Sequence, residues 1–224
     1  MKNGYFVFDG VDASVRKEIS ELHNKLIPYG TVAKLGLGFM RNTYYKILPN
    51  SGWLRCDMYS QEEKVVGFFS SARAEGSLRQ ALGWRRFLGL GLGLLAACAR
   101  SPKRILVVME LLRRSPPMDK VGGVELLSFG VDEKLRRFTD PVTGLRISTL
   151  LFENCMNAWK ARGIKTVFCR VKRDNLPVLL FYKNYGAQIQ SHSDDTTSFE
   201  IVFDMDAWAS PNNSAGDDKI LRNK

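Results

Sequence analysis

The sequence predicts a mixed α/β domain in which helices cover both faces of a central sheet. Three observations predict it. Strand-like and helix-like stretches alternate along the 224 residues instead of segregating into blocks. Hydrophobic residues make up 45% of the chain and charged residues 25%, enough apolar mass to bury a core and too much for disorder. Cys56, Cys98, Cys155 and Cys169 stand far apart with no CxxC or CxxH spacing, so the fold rests on packing rather than on a disulfide scaffold or a structural zinc. Unpaired thiols predict a reducing, cytoplasmic setting, and Met1 to Tyr5 lack the apolar core of a secretory signal. With only His23 and His192, a multi-histidine metal centre is excluded.

The elements follow in order. Tyr5 to Phe8 is a short apolar strand. Asp12 or Ser14 caps a helix from Val15 to Leu26, whose Ile19, Leu22 and Leu26 recur at helical spacing. Pro28 and Gly30 end it. A second helix is expected from Thr31 to about Leu48, with Leu35, Phe39, Tyr44 and Leu48 facing inward. A hairpin follows: Trp53 to Tyr59, a four-residue turn Ser60 to Glu63, and Lys64 to Ala72, rich in strand formers. Residues 73–117 form a helical insert, expected to break at Gly89, Gly91, Gly93 and Ser101-Pro102. Val124 to Val131 is a buried strand. A helix from Ile147 to Arg162 stops at Gly163, where a C-terminal glycine cap belongs. Strand Thr166 to Val171, a helix Leu176 to Asn184 with Pro177 in its first turn, and a closing hairpin complete the domain, taken as residues 1–208. Residues 209–224 are polar and expected to be a disordered tail.

The net charge of +10 is concentrated in the insert. Arg73 to Arg114 holds nine basic residues against Glu75 and Glu110, which is seven of the ten excess charges. Within it, Phe87 to Ala99 is uncharged, but its 13 residues fall well short of the roughly 20 that span a bilayer. Two readings stand. Leu88, Leu92, Leu95 and Ile105 pack onto the sheet or a second subunit, giving a homodimer and leaving the arginines solvated. Alternatively, the segment makes peripheral contact with an anionic membrane surface, such as the inner face of the membrane around the cytoplasm. No nucleic-acid-binding motif is present, and nucleic acid is not expected as a partner.

The stretch from Val124 to Ala187 carries the chemistry. Its order is strand, loop, helix, strand, helix, with glycine and basic residues in the loop. A loop feeding a helix N-terminus presents unsatisfied N–H groups and the positive end of the helix dipole to an anion. Beyond it, Arg162-Gly163-Ile164 ends one helix and Asn175 opens the next. Tyr182 lies seven residues after Asn175, and Gly186 follows at a fixed distance. This run resembles the GNAT acyltransferase superfamily, with its N-x-x-A-x-x-x-Y-x-x-x-G-F signature. Upstream, Val131 and Arg136 match the family's V-x-P-x-x-R strand exit. The resemblance covers about Tyr5 to Asp204 and implies a splayed central sheet of the GNAT type, with the helical insert between its third and fourth strands.

It further implies an acetyl-coenzyme A-dependent N-acetyltransferase with no metal. The acceptor would be a small-molecule primary amine such as an amino sugar, on a surface polysaccharide or its lipid-linked or phosphorylated precursors among others. By resemblance, Phe129, Gly130 and Val131 supply backbone contacts to the acyl group and pantetheine arm. Arg136, Gly144, Leu145, Arg146, Ile147 and Ser148 bind the pyrophosphate, and Asn175 supports cofactor or water contacts. Tyr182 matches the acid that donates to the departing thiolate. Glu125, on the strand lining the acceptor cleft, is the candidate base, with His23 and Asp57 behind it. The chain departs from the family in its loop. Seven residues, Arg137 to Thr143, intervene, and Arg146 and Ser148 stand where glycines are usual. Glycine serves there because a Cβ obstructs close approach of backbone to phosphate, whereas Arg146 can pair a phosphate directly. The alternative is a non-catalytic GNAT-fold binding or regulatory protein that has lost the glycine loop.

Overall fold

In the computed structural model, which describes residues 3–74, 82–113, 122–191 and 197–209, the side-chain pattern of each segment finds its partner layer. The N-terminal half contains β1 (Gly4–Phe8), α1 (Ala13–Leu26), α2 (Thr31–Lys34), α3 (Leu37–Phe39), a π-helical turn Met40–Tyr44, α4 (Tyr45–Asn50), β2 (Leu54–Gln61) and β3 (Lys64–Arg73). The insert supplies α5 (Trp84–Arg100) and α6 (Arg104–Arg113). Then come β4 (Val124–Val131), α7 (Ile147–Lys160), β5 (Thr166–Lys172), α8 (Leu176–Asn184), β6 (Gln188–Ser191) and β7 (Ser198–Asp204). Asp12 caps α1, its carboxylate accepting from the amides of Ser14 and Val15. The expected end of the insert at Pro116-Pro117 and the expected tail beyond Ala209 lie outside the described residues.

The seven strands are ordered β1-β2-β3-β4-β5-β7-β6. Every neighbouring pair is antiparallel except β4 and β5, which run parallel and meet at two positions only, Val124↔Val167 and Glu125↔Phe168. The cause of the early separation lies in β4. Ser70 opposes Ser128 and Ser71 opposes Leu126, so Leu127 is an extra residue, a β-bulge that bends the strand. The expected splay between Val124–Val131 and Thr166–Val171 is therefore present.

α7 and α8 cover one face, packing Leu150, Phe152 and Trp159 against Val124, Val167 and Phe203. α1 to α4, with Leu90 and Ala97 of α5, cover the other. Beneath α7 a polar network ties β1 to β2. Asp57, fully buried, accepts from Arg55 Nε at 2.8 Å and from the Tyr5 hydroxyl at 2.5 Å.

Three expectations need correction. The helix expected from Thr31 to Leu48 is broken after Lys34, because Gly36 adopts φ +94°, a conformation open to glycine. Leu35, Phe39, Tyr44 and Leu48 are nonetheless all buried. The hairpin turn is two residues, Glu62 and Glu63, both at positive φ (50° and 62°), so β2 runs on to Gln61. The glycines of the insert do not break it. α5 is one continuous helix, and Gly89 and Gly93, one turn apart, face Ile47 and Thr43, where a Cβ at Gly93 would run into the threonine side chain. Close packing there offsets the helix cost of glycine, about 1 kcal/mol per residue relative to alanine. The expected break at Ser101-Pro102 is where α5 ends.

Candidate active site

The gap that opens between β4 and β5 organises the expected site residues. Glu125 sits at the last paired position and is half-buried. It shares a face of the sheet with Ser128 and lies opposite Val124 and Leu126, which point into the α7 core. Beyond it the backbone of β4 alternates. The Asp132 amide donates to Val66 of β3 at 2.8 Å, so Gly130 also turns its amide to β3, and Phe129 and Val131 turn theirs to the gap. Gly130 has a second reason to lack a side chain, since a Cβ would meet Leu26 of α1 at 2.7 Å.

α7 begins at the mouth of this gap because its first turn lies directly on β3. A Cβ at Gly67 would meet Ile147 at 2.9 Å and Leu151 at 3.1 Å. No side chain of Arg146 caps the helix, and Arg146 itself is extended and exposed. The first-turn amides of Ile147 and Ser148 thus face the loop with the positive end of the helix dipole. The loop is folded upon Asp140. Its carboxylate accepts from the Tyr59 hydroxyl at 2.7 Å and from the Thr143 amide and hydroxyl at 2.8 Å each. Burial works against the ionised form, but these hydrogen bonds prevail and hold the Asp140 pKa below its ordinary value. Gly144 at φ +71° closes the turn, with its amide on the Asp140 carbonyl at 2.8 Å, and Thr139 bridges Arg146. Leu145 is half-buried against the α7 core. Arg136 is exposed and pairs with Glu133 at 3.4 Å.

α8 contributes Asn175 and Tyr182. Asn175 is exposed at the start of the helix, and its side chain makes no capping bond. Tyr182 is buried, its ring among Phe152, Phe181 and Phe203. Its hydroxyl lies beside the Cys169 thiol, on the first β5 residue past the last β4–β5 pair. Burial, and then that thiol, push the Tyr182 pKa well up. Asp57 lies on β2, two strands from the gap, within the Arg55–Tyr5 network. Among the described residues no group of His, Cys, Asp and Glu is placed to hold a metal ion.

On the α1 side His23 joins a set of polar groups that spacing rules did not find. His23 Nδ1 is 2.6 Å from the Tyr45 hydroxyl, and the Ser70 and Ser128 hydroxyls meet at 2.5 Å. Tyr44 lies beside Ser70 and Tyr45 beside Ser128. The available signal was serine inside the apolar strands VVGFFSSA and VELLSFGV, since a buried hydroxyl needs a partner. Burial lowers the His23 pKa to about 4. A depressed histidine contributes stability above its unfolded pKa near 6.5 and loses it as pH falls toward the folded value. Denaturation of the native chain is expected to lose about 3 kcal/mol from this group between pH 6.5 and pH 4. A His23→Gln variant should lack that component, and an identical pH profile in the two proteins would refute the assignment.

No family model matches the sequence, and no curated protein matches it significantly. Solved structures do match its shape. An N-acetyltransferase from Staphylococcus aureus Mu50 aligns over 91% of this chain and 99% of its own, with TM-score 0.53 and 13% identity. Arabidopsis thaliana NAA60 in complex with acetyl-CoA aligns over 91% and 98%, with TM-score 0.53 and 14% identity. A GNAT-family structure from Desulfovibrio desulfuricans aligns over 90% and 98%, with TM-score 0.51 and 9% identity. The strand order, the bulged and parting β4, and these full-length alignments together establish that the chain has the fold of the GNAT acetyltransferases.

Proposed function

We propose that the protein transfers an acetyl group from acetyl-coenzyme A to a primary amine, with amino sugars and other small amines as the acceptor class. The observation that carries this reading is the gap itself: β4 leaves β5 after Glu125, turns the amides of Phe129 and Val131 into the opening, and has the uncapped start of α7 at its mouth. The residues present fit the co-substrate. The first-turn amides of Ile147 and Ser148, with the Arg146 guanidinium, suit a pyrophosphate, and Arg146 replaces by charge what a glycine would give by close approach. Acetyl-coenzyme A supplies an activated thioester. The Phe129 and Val131 amides donate to the acyl oxygen as negative charge develops there. Glu125 accepts the ammonium proton of the acceptor, directly or through water. Tyr182 donates a hydrogen bond to the sulfur. Gly144 and Leu145 keep the loop closed over Asp140, and the exposed Arg136 and Asn175 are the further polar contacts assigned to the co-substrate in this reading. The four free cysteines accord with a cytoplasmic location.

Calorimetric titration with acetyl-coenzyme A tests this directly. Saturable binding with Kd below about 1 mM is expected, weakened about tenfold or more in Arg146→Ala by loss of a charge-assisted phosphate contact. A screen of amine acceptors then follows thiol release. Absence of binding at millimolar ligand would leave the fold as a non-catalytic module.

A further inference from the structure

Among the described residues the insert presents a largely exposed apolar face. On α5, Trp84, Leu88, Leu92 and Leu95 recur at i, i+4, i+8 and i+11, which places them along one side of the helix. Each is between 45 and 67% exposed. α6 adds Ile105, Leu106 and Met109, with Leu106 at 71%. Leu88, Leu92, Leu95 and Ile105 thus point away from the sheet, against the reading that packs them onto it. The opposite side of α5 is the one held to the protein, through Gly89, Leu90, Gly93 and Ala97. A helix fixed by its glycine side presents its leucine side rigidly.

The charge on these two helices is mostly basic, with Glu110 of α6 the one carboxylate. Residues 82–109 contain Arg85, Arg86, Arg100, Lys103 and Arg104 and no acidic residue. Two of the five serve the fold. Arg86 donates to Asn50 at 3.2 Å, and Arg104 donates to the Ala97 carbonyl at 3.2 Å, beside Gly36. Arg85, Arg100 and Lys103 are exposed. No described helix is long and apolar enough to cross a membrane, so the face suits a surface and not a span.

We propose that α5 and α6 dock the protein on an anionic lipid bilayer, with Trp84, Leu88, Leu92 and Leu95 at the headgroup boundary and Arg85, Arg100 and Lys103 on acidic headgroups. An amphipathic helix with Trp and Leu on one side and cations at its rim binds bilayers in this orientation. A second copy of the chain fits less well, because apposing two such faces brings Arg85, Arg86, Arg100, Lys103 and Arg104 of each copy together with Glu110 the one carboxylate on α5 and α6 to pair them. Nucleic acid fits less well too, since the centre of the patch is aliphatic and its exposed aromatics, Trp84 and Phe87, stand only at the start of α5. The proposal is independent of the acetyl-transfer reading.

Co-sedimentation of the full chain with lipid vesicles tests it. Binding is expected to phosphatidylcholine vesicles carrying about one-third phosphatidylserine, and to weaken with added salt and in pure phosphatidylcholine. Arg85→Ala and Lys103→Ala should each weaken it about fivefold, the effect of one basic residue near an anionic surface. Leu92→Glu/Leu95→Glu should abolish it with an unchanged melting temperature, because both side chains are exposed, and Trp84→Ser in the first turn provides a second variant. Failure to bind anionic vesicles at low salt overturns the proposal, as does binding indifferent to the leucine variants. A lipid-free dimer that Leu92→Glu/Leu95→Glu dissociates, found by sedimentation velocity, would assign the face to a second copy and overturn it equally.

Discussion

Tyr182→Phe is expected to lower kcat for acetyl transfer about 10²- to 10³-fold, with affinity for acetyl-coenzyme A nearly unchanged. The size of the effect follows from where the hydroxyl sits. It is buried beside the Cys169 thiol, one residue beyond the point at which β4 and β5 part. A phenol held above its ordinary pKa stays protonated, and a thiol titrates near 8.5, so in the proposed reaction the sulfur would leave as an anion steadied by a hydrogen bond. Removing one such donor from a water-poor site costs about 3–4 kcal/mol of transition-state stabilisation. Loss of the same hydroxyl from a purely structural position would cost only about 1 kcal/mol of stability and leave turnover intact. Single-turnover rates together with urea denaturation of both proteins separate the two, and full activity in the variant removes Tyr182 from the reaction.

Trp159→Ala is expected to reduce stability by about 3–5 kcal/mol in urea denaturation, the range for emptying a large aromatic site. Trp159 is fully buried on α7, and its indole N–H donates to the Ser71 hydroxyl at 2.8 Å. Ser71 in turn contacts Cys155 Sγ at 3.3 Å, one turn back on the same helix. Truncation leaves a cavity and removes a hydrogen bond between the helix and β3. Trp159→Phe keeps most of the volume and should recover most of the loss. A change below about 1 kcal/mol in the alanine variant would mean that α7 is held to the sheet by other contacts. Because α7 also carries the uncapped amides at the gap, the alanine variant should weaken acetyl-coenzyme A binding before it unfolds.

Much of this architecture was legible in local sequence. Val124–Val131 and Leu176–Asn184 are bounded as expected, because their ends carry strong signals: Gly122-Gly123 before the strand, Pro177 at the start of the helix, and Gly186 at φ +80° just past its end. What escaped depends on partners distant in the chain. The bulge at Leu127 is defined by the register against Ser70 and Ser71, which no property of VELLSFGV announces. Gly89 and Gly93 look like helix breakers until Ile47 and Thr43 are brought against them. The same limit applies at the site. Asn175, Tyr182 and Gly186 stand out by spacing, and so did Glu125 as a charge within a strand. Their surroundings did not: the buried ring of Tyr182, the thiol beside it, and the loop gathered on Asp140 all come from tertiary contacts.

The two-residue seam between β4 and β5 also bears on how the molecule yields. It divides the sheet into two leaves, β1 to β4 and β5 to β7, each continuous in its own hydrogen bonds. What spans them is largely aromatic. Phe152 of α7 touches Phe69 on one leaf and Phe203 on the other, with ring centroids 5.8 and 5.6 Å apart. The molecule is therefore bound like a book, with Phe152 stitched into its spine and its fore-edge free. Local opening along that crease leaves both leaves intact, so amide exchange should report two units of differing protection. A ligand lying along the free edge would join the leaves by a second line, raising resistance to unfolding with its concentration.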